Sequence, residues 1–178
     1  PFQSNPMQLN RFDNLLVFSP EYQTDLARFG VMKDFALDRG IRVLQKLEED
    51  FGSPIPYLTP SKIPIADILL VHKKEYLESL KNTDTWLSIF EFKESEYHPE
   101  KAEKPLHMIL DDFRIKSGGT RLAAENALQF GLTANLGGGY HHAFPDMGRG
   151  YCAINDIAIA IRSLKKSRRI DSAMIVDL

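Results

Sequence analysis

Ten residues concentrate the candidate chemistry of this sequence: Gly137-Gly138-Gly139-Tyr140-His141-His142-Ala143-Phe144-Pro145-Asp146. Histidine titrates near neutrality, so His141 and His142 on one constrained loop suit general acid–base work. Three successive glycines let the backbone approach other groups closely. A His-His pair also serves as a surface or structural hydrogen-bonding feature, and spacing alone leaves both readings open. Asp177 closes the apolar run Ala173-Met174-Ile175-Val176. Burying a carboxylate there demands a partner, and a histidine N–H would serve and would fix that ring's tautomer. The alternative for Asp177 is a strand-end cap on a following helix. Gly148 and Gly150 flank Arg149 and allow a tight turn ahead of Tyr151, which either walls a pocket or fills core. Cys152 heads an apolar helix, where a buried structural thiol is the expectation rather than a nucleophile. Asn155 and Asp156 are placed for local capping bonds.

These residues need elements to position them. Residues 14–19 (Asn-Leu-Leu-Val-Phe-Ser) read as a buried strand ended by Pro20. Residues 34–51 read as a helix with Ile41, Leu44 and Leu47 on one face, stopped by Gly52-Ser53-Pro54. Four prolines between 54 and 64 enforce an extended connection. Short helices are expected over 65–71 and 73–81, then a helix within 83–98 leading to an acidic, solvated loop. Residues 105–110 read as strand or loop. Ser117-Gly118-Gly119-Thr120 is expected to open a helix running to Phe130 and closed by Gly131. Residues 132–136 read as a strand, and 137–150 as a loop with five glycines. Ile154, Ile157, Ala158 and Ile161 give an amphipathic helical stripe, and 170–178 read as an interior strand. Strand, loop, helix, strand in repetition implies an α/β fold with a central parallel sheet. Ligands of such sheets bind outside the carboxyl ends of the strands, where the glycine-rich loop falls.

Composition narrows the functional classes. The 178 residues carry 22 Lys+Arg against 24 Asp+Glu and are 43% hydrophobic, which excludes a disordered tail and a fibre. One domain is the length expectation. The dense basic run, Arg162 to Arg169, belongs to a helix end and its turn, so no platform for direct nucleic-acid binding is expected. A single cysteine excludes an intrachain disulfide and fits a reducing, cytoplasmic setting. No signal peptide and no membrane span are expected.

The blocks 137–146, Gly-Tyr-Cys-Ala-Ile-Asn-Asp at 150–156 and Ile-Val-Asp-Leu at 175–178 together resemble the zinc-dependent histone deacetylase family. That family includes the acetoin-utilisation proteins and the acetylpolyamine amidohydrolases. Ser-Gly-Gly-Thr at 117–120, Phe-Ser-Pro-Glu-Tyr at 18–22 and Leu-Leu-Val-His-Lys-Lys-Glu-Tyr-Leu at 69–77 resemble further blocks of it, the last two its class IV branch. The resemblance spans nearly the whole chain.

It implies an arginase–deacetylase sandwich, incomplete at the C-terminus, with residues 1–178 as the N-terminal part of one deacetylase domain. The implied activity of the intact parent is hydrolysis of acetyl-lysine or a small acetylated amine. His142 would be the general base and proton donor, with His141 an electrostatic partner hydrogen-bonded to Asp177. Tyr151 would wall the acyl channel, and the Gly150 carbonyl would hold the substrate amide N–H. Asp177 would also contribute to a monovalent-cation site, potassium being the candidate. The family's zinc ligands belong to an Asp-x-His motif directly after the Val-Asp-Leu strand and to a later Asp, so they are expected past Leu178. This chain alone is therefore expected to be inactive and to hold no zinc tightly. A non-catalytic half-fold for binding or assembly is the alternative, and a thiol hydrolase using Cys152 with His142 is a second. Many relatives carry a His-Pro element where this chain has Arg28 to Asp34. Ending in an interior strand, the chain is expected to expose a sheet edge and to self-associate through it.

Overall fold

The computed structural model describes residues 14–33 and 38–177. Its sheet is small. β1 (Leu16–Val17) pairs in parallel with β2 (Ala134–Asn135), Leu16 opposite Ala134 and Val17 opposite Asn135. Leu58 bridges the other side of β1, also in parallel, with Phe18 N–H donating to its carbonyl at 3.0 Å. β1 thus lies between two segments, and Leu16, Val17 and Phe18 are buried. Parallel neighbours require crossovers, and here helices fill them.

Among the described residues six α-helices follow in order: α1 (Arg39–Phe51), α2 (Ile65–Ile68), α3 (Lys74–Ser79), α4 (Thr83–Ile89), α5 (Ile109–Phe130) and α6 (Asp156–Lys166). Ile41, Leu44 and Leu47 do form the inner face of α1, packing on Leu16, Phe18 and Tyr22. Gly52, at φ 66°, ends that helix; its expected beginning at residue 34 lies outside the described residues. Trp86 and Ile89 of α4 sit in the larger core with Ile63, Ile68, Leu106, Ile109, Phe113, Ile154 and Ile159. The indole N–H of Trp86 donates to the Leu80 carbonyl at 2.6 Å, so its one polar atom is satisfied inside the core.

Three expectations need correction. First, α5 does not open at Ser117. It begins at Ile109, absorbing part of the segment read as strand or loop, and the glycine pair lies in its middle. A Cβ on Gly118 would stand 1.8 Å from the Ser61 carbonyl oxygen, and one on Gly119 would stand 1.9 Å from the Tyr22 hydroxyl. The glycines are there for close approach, not for capping. Gly131 does end the helix, its N–H donating to the Ala127 carbonyl at 2.8 Å.

Second, the buried side of α6 is Asp156, Ile159, Ala160 and Leu164. Ile157, Ala158 and Ile161 are half-buried, and Ile154 is buried ahead of the helix. Packing of α6 on α5 and α2 turns its face from the apolar stripe of the sequence.

Third, residues 171–177 form no strand and are exposed, with Met174 at 87%. Neither β1 nor β2 reaches this run, so its apolar pattern finds no ladder to join. Leu178 lies outside the described residues.

Candidate functional site

β2 delivers the site. Its Asn135 side chain accepts the Tyr22 hydroxyl at 2.7 Å and donates to the Lys116 carbonyl at 3.2 Å and to Thr120 Oγ1 at 3.1 Å. This ties the strand end to α5 and to the turn after β1. The glycine-rich loop leaves directly from here, at the carboxyl end of the parallel pair. Gly138 and Gly139 take φ of 85° and 84°, in the left-handed region open to glycine.

Asp156 holds the turn they make. It is fully buried, and its carboxylate accepts Gly139 N–H at 2.9 Å, Tyr140 N–H at 2.6 Å and the Thr120 hydroxyl. The expected local cap belongs to Asn155 alone, whose Oδ1 accepts Ala158 N–H at 2.9 Å. Asn155 also donates to the carbonyls of His141 (3.3 Å) and Ala143 (3.1 Å). Both residues at the head of α6 therefore grip the loop.

His141 and His142 are exposed, with ring centroids 4.1 Å apart. His141 Nδ1 lies 3.1 Å from the Gly139 carbonyl, to which it donates when protonated. Its Nε2 lies 3.7 Å from Asp177 Oδ2. The structure brings those two side chains together, but the Asp177 side chain is 76% exposed. The expectation of a buried carboxylate in need of a partner is thus corrected. The run carrying Asp177 is not inside a sheet, and at 3.7 Å the contact is too long for a hydrogen bond.

Only His142 of the pair lines the adjoining cavity, of about 560 Å³. Tyr22, Lys116, Tyr140, Gly150 and Tyr151 line it too. Gly150 and Tyr151 sit in a tight turn closed by reciprocal backbone bonds between Arg149 and Cys152, at 3.1 and 2.9 Å. Tyr151 holds φ at 63°, rare for a tyrosine, and its N–H donates to the Ile89 carbonyl at 3.0 Å. The Gly150 carbonyl receives the Cys152 thiol at 3.4 Å.

Electrostatics sharpen these assignments. Burial raises the Cys152 thiol above its usual range, the opposite of what a cysteine nucleophile needs. Burial pulls the Lys116 ammonium down to about 8, against the opposing field of Asp112, and its Nζ donates to Thr24 Oγ1 at 2.7 Å. Burial, reinforced by Asp156, keeps the Tyr140 hydroxyl protonated far above neutrality. Lys116 escaped the sequence reading, and Asp156 was read there only as a local cap. A lysine in a helix and an Asp at a helix start look ordinary until the fold places them inward.

Among the described residues, no three His, Cys, Asp or Glu side chains converge in a way that could hold a metal ion. They do not by themselves make the zinc site that the resemblance implies.

The histone deacetylase domain matches residues 34–178. The chain belongs to the histone deacetylase family. Histone deacetylase 2 of Arabidopsis thaliana is 32% identical over 92% of this chain and 42% of its own length. A probable deacetylase of Methanothermobacter thermautotrophicus is 30% identical over 76% of the chain and 38% of its own. Acetoin utilization protein AcuC of Bacillus subtilis is 29% identical over 86% and 40%. The chain thus spans about two fifths of the length of these three relatives. The crystal structure of the HDA15 HD domain superposes with a TM-score of 0.59 at 16% identity, covering 86% of this chain and 43% of that one. That likeness places this mixed α/β chain, with its small parallel sheet, on part of the deacetylase fold. Members of the family are typically zinc-dependent and act on acetylated substrates. No helix among the described residues is long and apolar enough to cross a membrane.

Proposed function

We propose that this chain supplies the acid–base half of an amidohydrolase site that removes acetyl groups from lysine or a small amine. The observation that carries the reading is His142, at the rim of a cavity walled by Tyr151 and Tyr140 and next to the Gly150 backbone. A flat acyl amide would enter between the tyrosines. His142 would take a proton from the attacking water and return it to the leaving amine. His141, with Gly139 and Asp177 beside it, would steady the charge on its neighbour. On this reading, zinc is held by residues other than the described ones, and so this chain alone turns over no acetyl amide. The raised thiol of Cys152 speaks against a cysteine hydrolase.

The lack of a three-ligand metal set among the described residues favours one second reading, a non-catalytic half-fold that binds without hydrolysing. One experiment separates the two. The full-length gene product is assayed on an acetyl-lysine peptide and on an acetylated polyamine. Turnover that falls by about 10²–10⁴-fold in His142→Ala supports the enzyme. Turnover unchanged by that substitution removes His142 from the mechanism, and no turnover at all leaves the binding module.

A further inference from the structure

We propose that Asp156 is the positioning residue of the His141–His142 pair: its buried carboxylate binds the two backbone amides just ahead of His141 and thereby sets where both imidazoles stand. Its functional consequence rests on the acid–base reading above; its structural consequence does not.

Asp156 is fully buried, and the donors that hold its carboxylate are two backbone amides and a hydroxyl rather than a cationic side chain. Burying such a group is costly. Three converging donors and its place in the first turn of an 11-residue helix offset that cost. None of those donors belongs to α6. Two lie 16 and 17 positions back in the loop, and the third, Thr120, lies 36 positions back on α5. A residue kept only to start its own helix would bond to that helix, as Asn155 does. The loop is shaped around the carboxylate in turn. A Cβ on Gly138 would lie 2.3 Å from Asp156 Oδ2, so a side chain there would displace it.

The arrangement continues outward. Thr120, bonded to Asp156, also receives Asn135 Nδ2 at 3.1 Å, joining α6, α5 and β2 at one point. The Tyr140 ring packs 4.5 Å from Phe113 while its amide is held by Asp156. Residue 140 is thus fixed at both ends, and the next two residues carry the imidazoles into the open. Without the carboxylate, the two consecutive glycines at positive φ lose the acceptor that fixes the Gly139 and Tyr140 amides.

Asp156→Asn tests this directly, because asparagine keeps the shape but offers an NH2 where one oxygen must accept. In the 178-residue chain, NMR should show exchange of the Gly139 and Tyr140 amides at least about tenfold faster than in the wild type. The ring signals of His141 and His142 should move while those of His98 and His107 stay in place. If Asp156→Asn does not fold, Thr120→Val removes one donor only and should produce the same changes on a smaller scale. In the full-length enzyme, kcat should fall by about 10²-fold, with KM changed less than about twofold. Folded variants with unchanged loop amides and unchanged His141 and His142 rings would overturn the proposal. A full-length protein without activity would sink the deacylase reading and leave the NMR result intact.

Discussion

Gly118 in the middle of α5 offers a demanding test of how the helix packs. Replacing a mid-helix glycine by alanine in isolation stabilises by about 1 kcal/mol. Here the new Cβ would stand 1.8 Å from Ser61 O, 3.0 Å from Ser61 C and 3.3 Å from Ile63 N. An ordinary carbon–oxygen contact needs about 3.4 Å, so α5 and the 61–63 segment must separate by about 1.5 Å. That segment cannot swing aside freely. Ile63 N–H donates to the Arg114 carbonyl at 3.0 Å, Arg114 Nε donates back to the Ile63 carbonyl at 3.0 Å, and Pro60 and Pro64 stiffen both ends. Stretching two hydrogen bonds costs about 1 kcal/mol each, and overpacking adds about 1–3 kcal/mol. After the helix gain is subtracted, Gly118→Ala should lose about 2–4 kcal/mol. With a urea slope of about 2 kcal/mol/M, the denaturation midpoint should fall by about 1–2 M. A midpoint equal to or above that of the wild type would refute the packing argument.

Three further outcomes are expected. Burial lowers the imidazole pKa of His72 below 6.5, and its Nε2 accepts Asn155 N–H at 2.9 Å. The unfolded chain therefore binds the proton more readily, so stability is complete above pH 6.5 and declines as pH falls toward the lowered native value. Urea midpoints at pH 7.5, 6.0 and 5.0 should show that decline, and His72→Gln should flatten it. Tyr76→Phe removes the buried hydroxyl that donates to the Ala153 carbonyl at 2.6 Å and should cost about 1–2 kcal/mol by urea titration. Asn155→Ala removes the α6 cap and two grips on the loop. It should cost about 1–3 kcal/mol, with faster exchange of the Ala158 amide as its local signature.

What could be read ahead of the structure follows a physical division. The site loop, the inner face of α1, Gly131 as a helix end and Asn155 as a cap are written in local chemistry: residue type, period and backbone freedom. What escaped is written in contacts between distant segments. Gly118 and Gly119 carry the local mark of a helix boundary, but their smallness serves the Ser61 backbone and the Tyr22 hydroxyl. Asn155-Asp156 carries the mark of a cap, and one residue suffices for that, which frees the other to hold the loop. The 170–178 run has the composition of an inner strand, but a strand exists only with a neighbour to bond. Asp177 was read as buried for the same reason, and it meets His141 instead as an exposed side chain at 3.7 Å.

The placement of β1 has a consequence for the order in which the molecule assembles. Two residues form the middle of the sheet, and the groups that complete it come from far along the chain. Tyr22 meets Asn135 across 113 positions, and Thr133 meets the Asn14 carbonyl across 119. Closing loops of that length costs entropy before any contact repays it, so distant pairings form late, while helices such as α5 can form from near neighbours. The imidazole loop hangs from β2 and is gripped by α6, so it comes to rest beside β1 and Tyr22 only once residues 14–22 have met residues 133–135. The docking of the loop on β1 would then mark the end of folding.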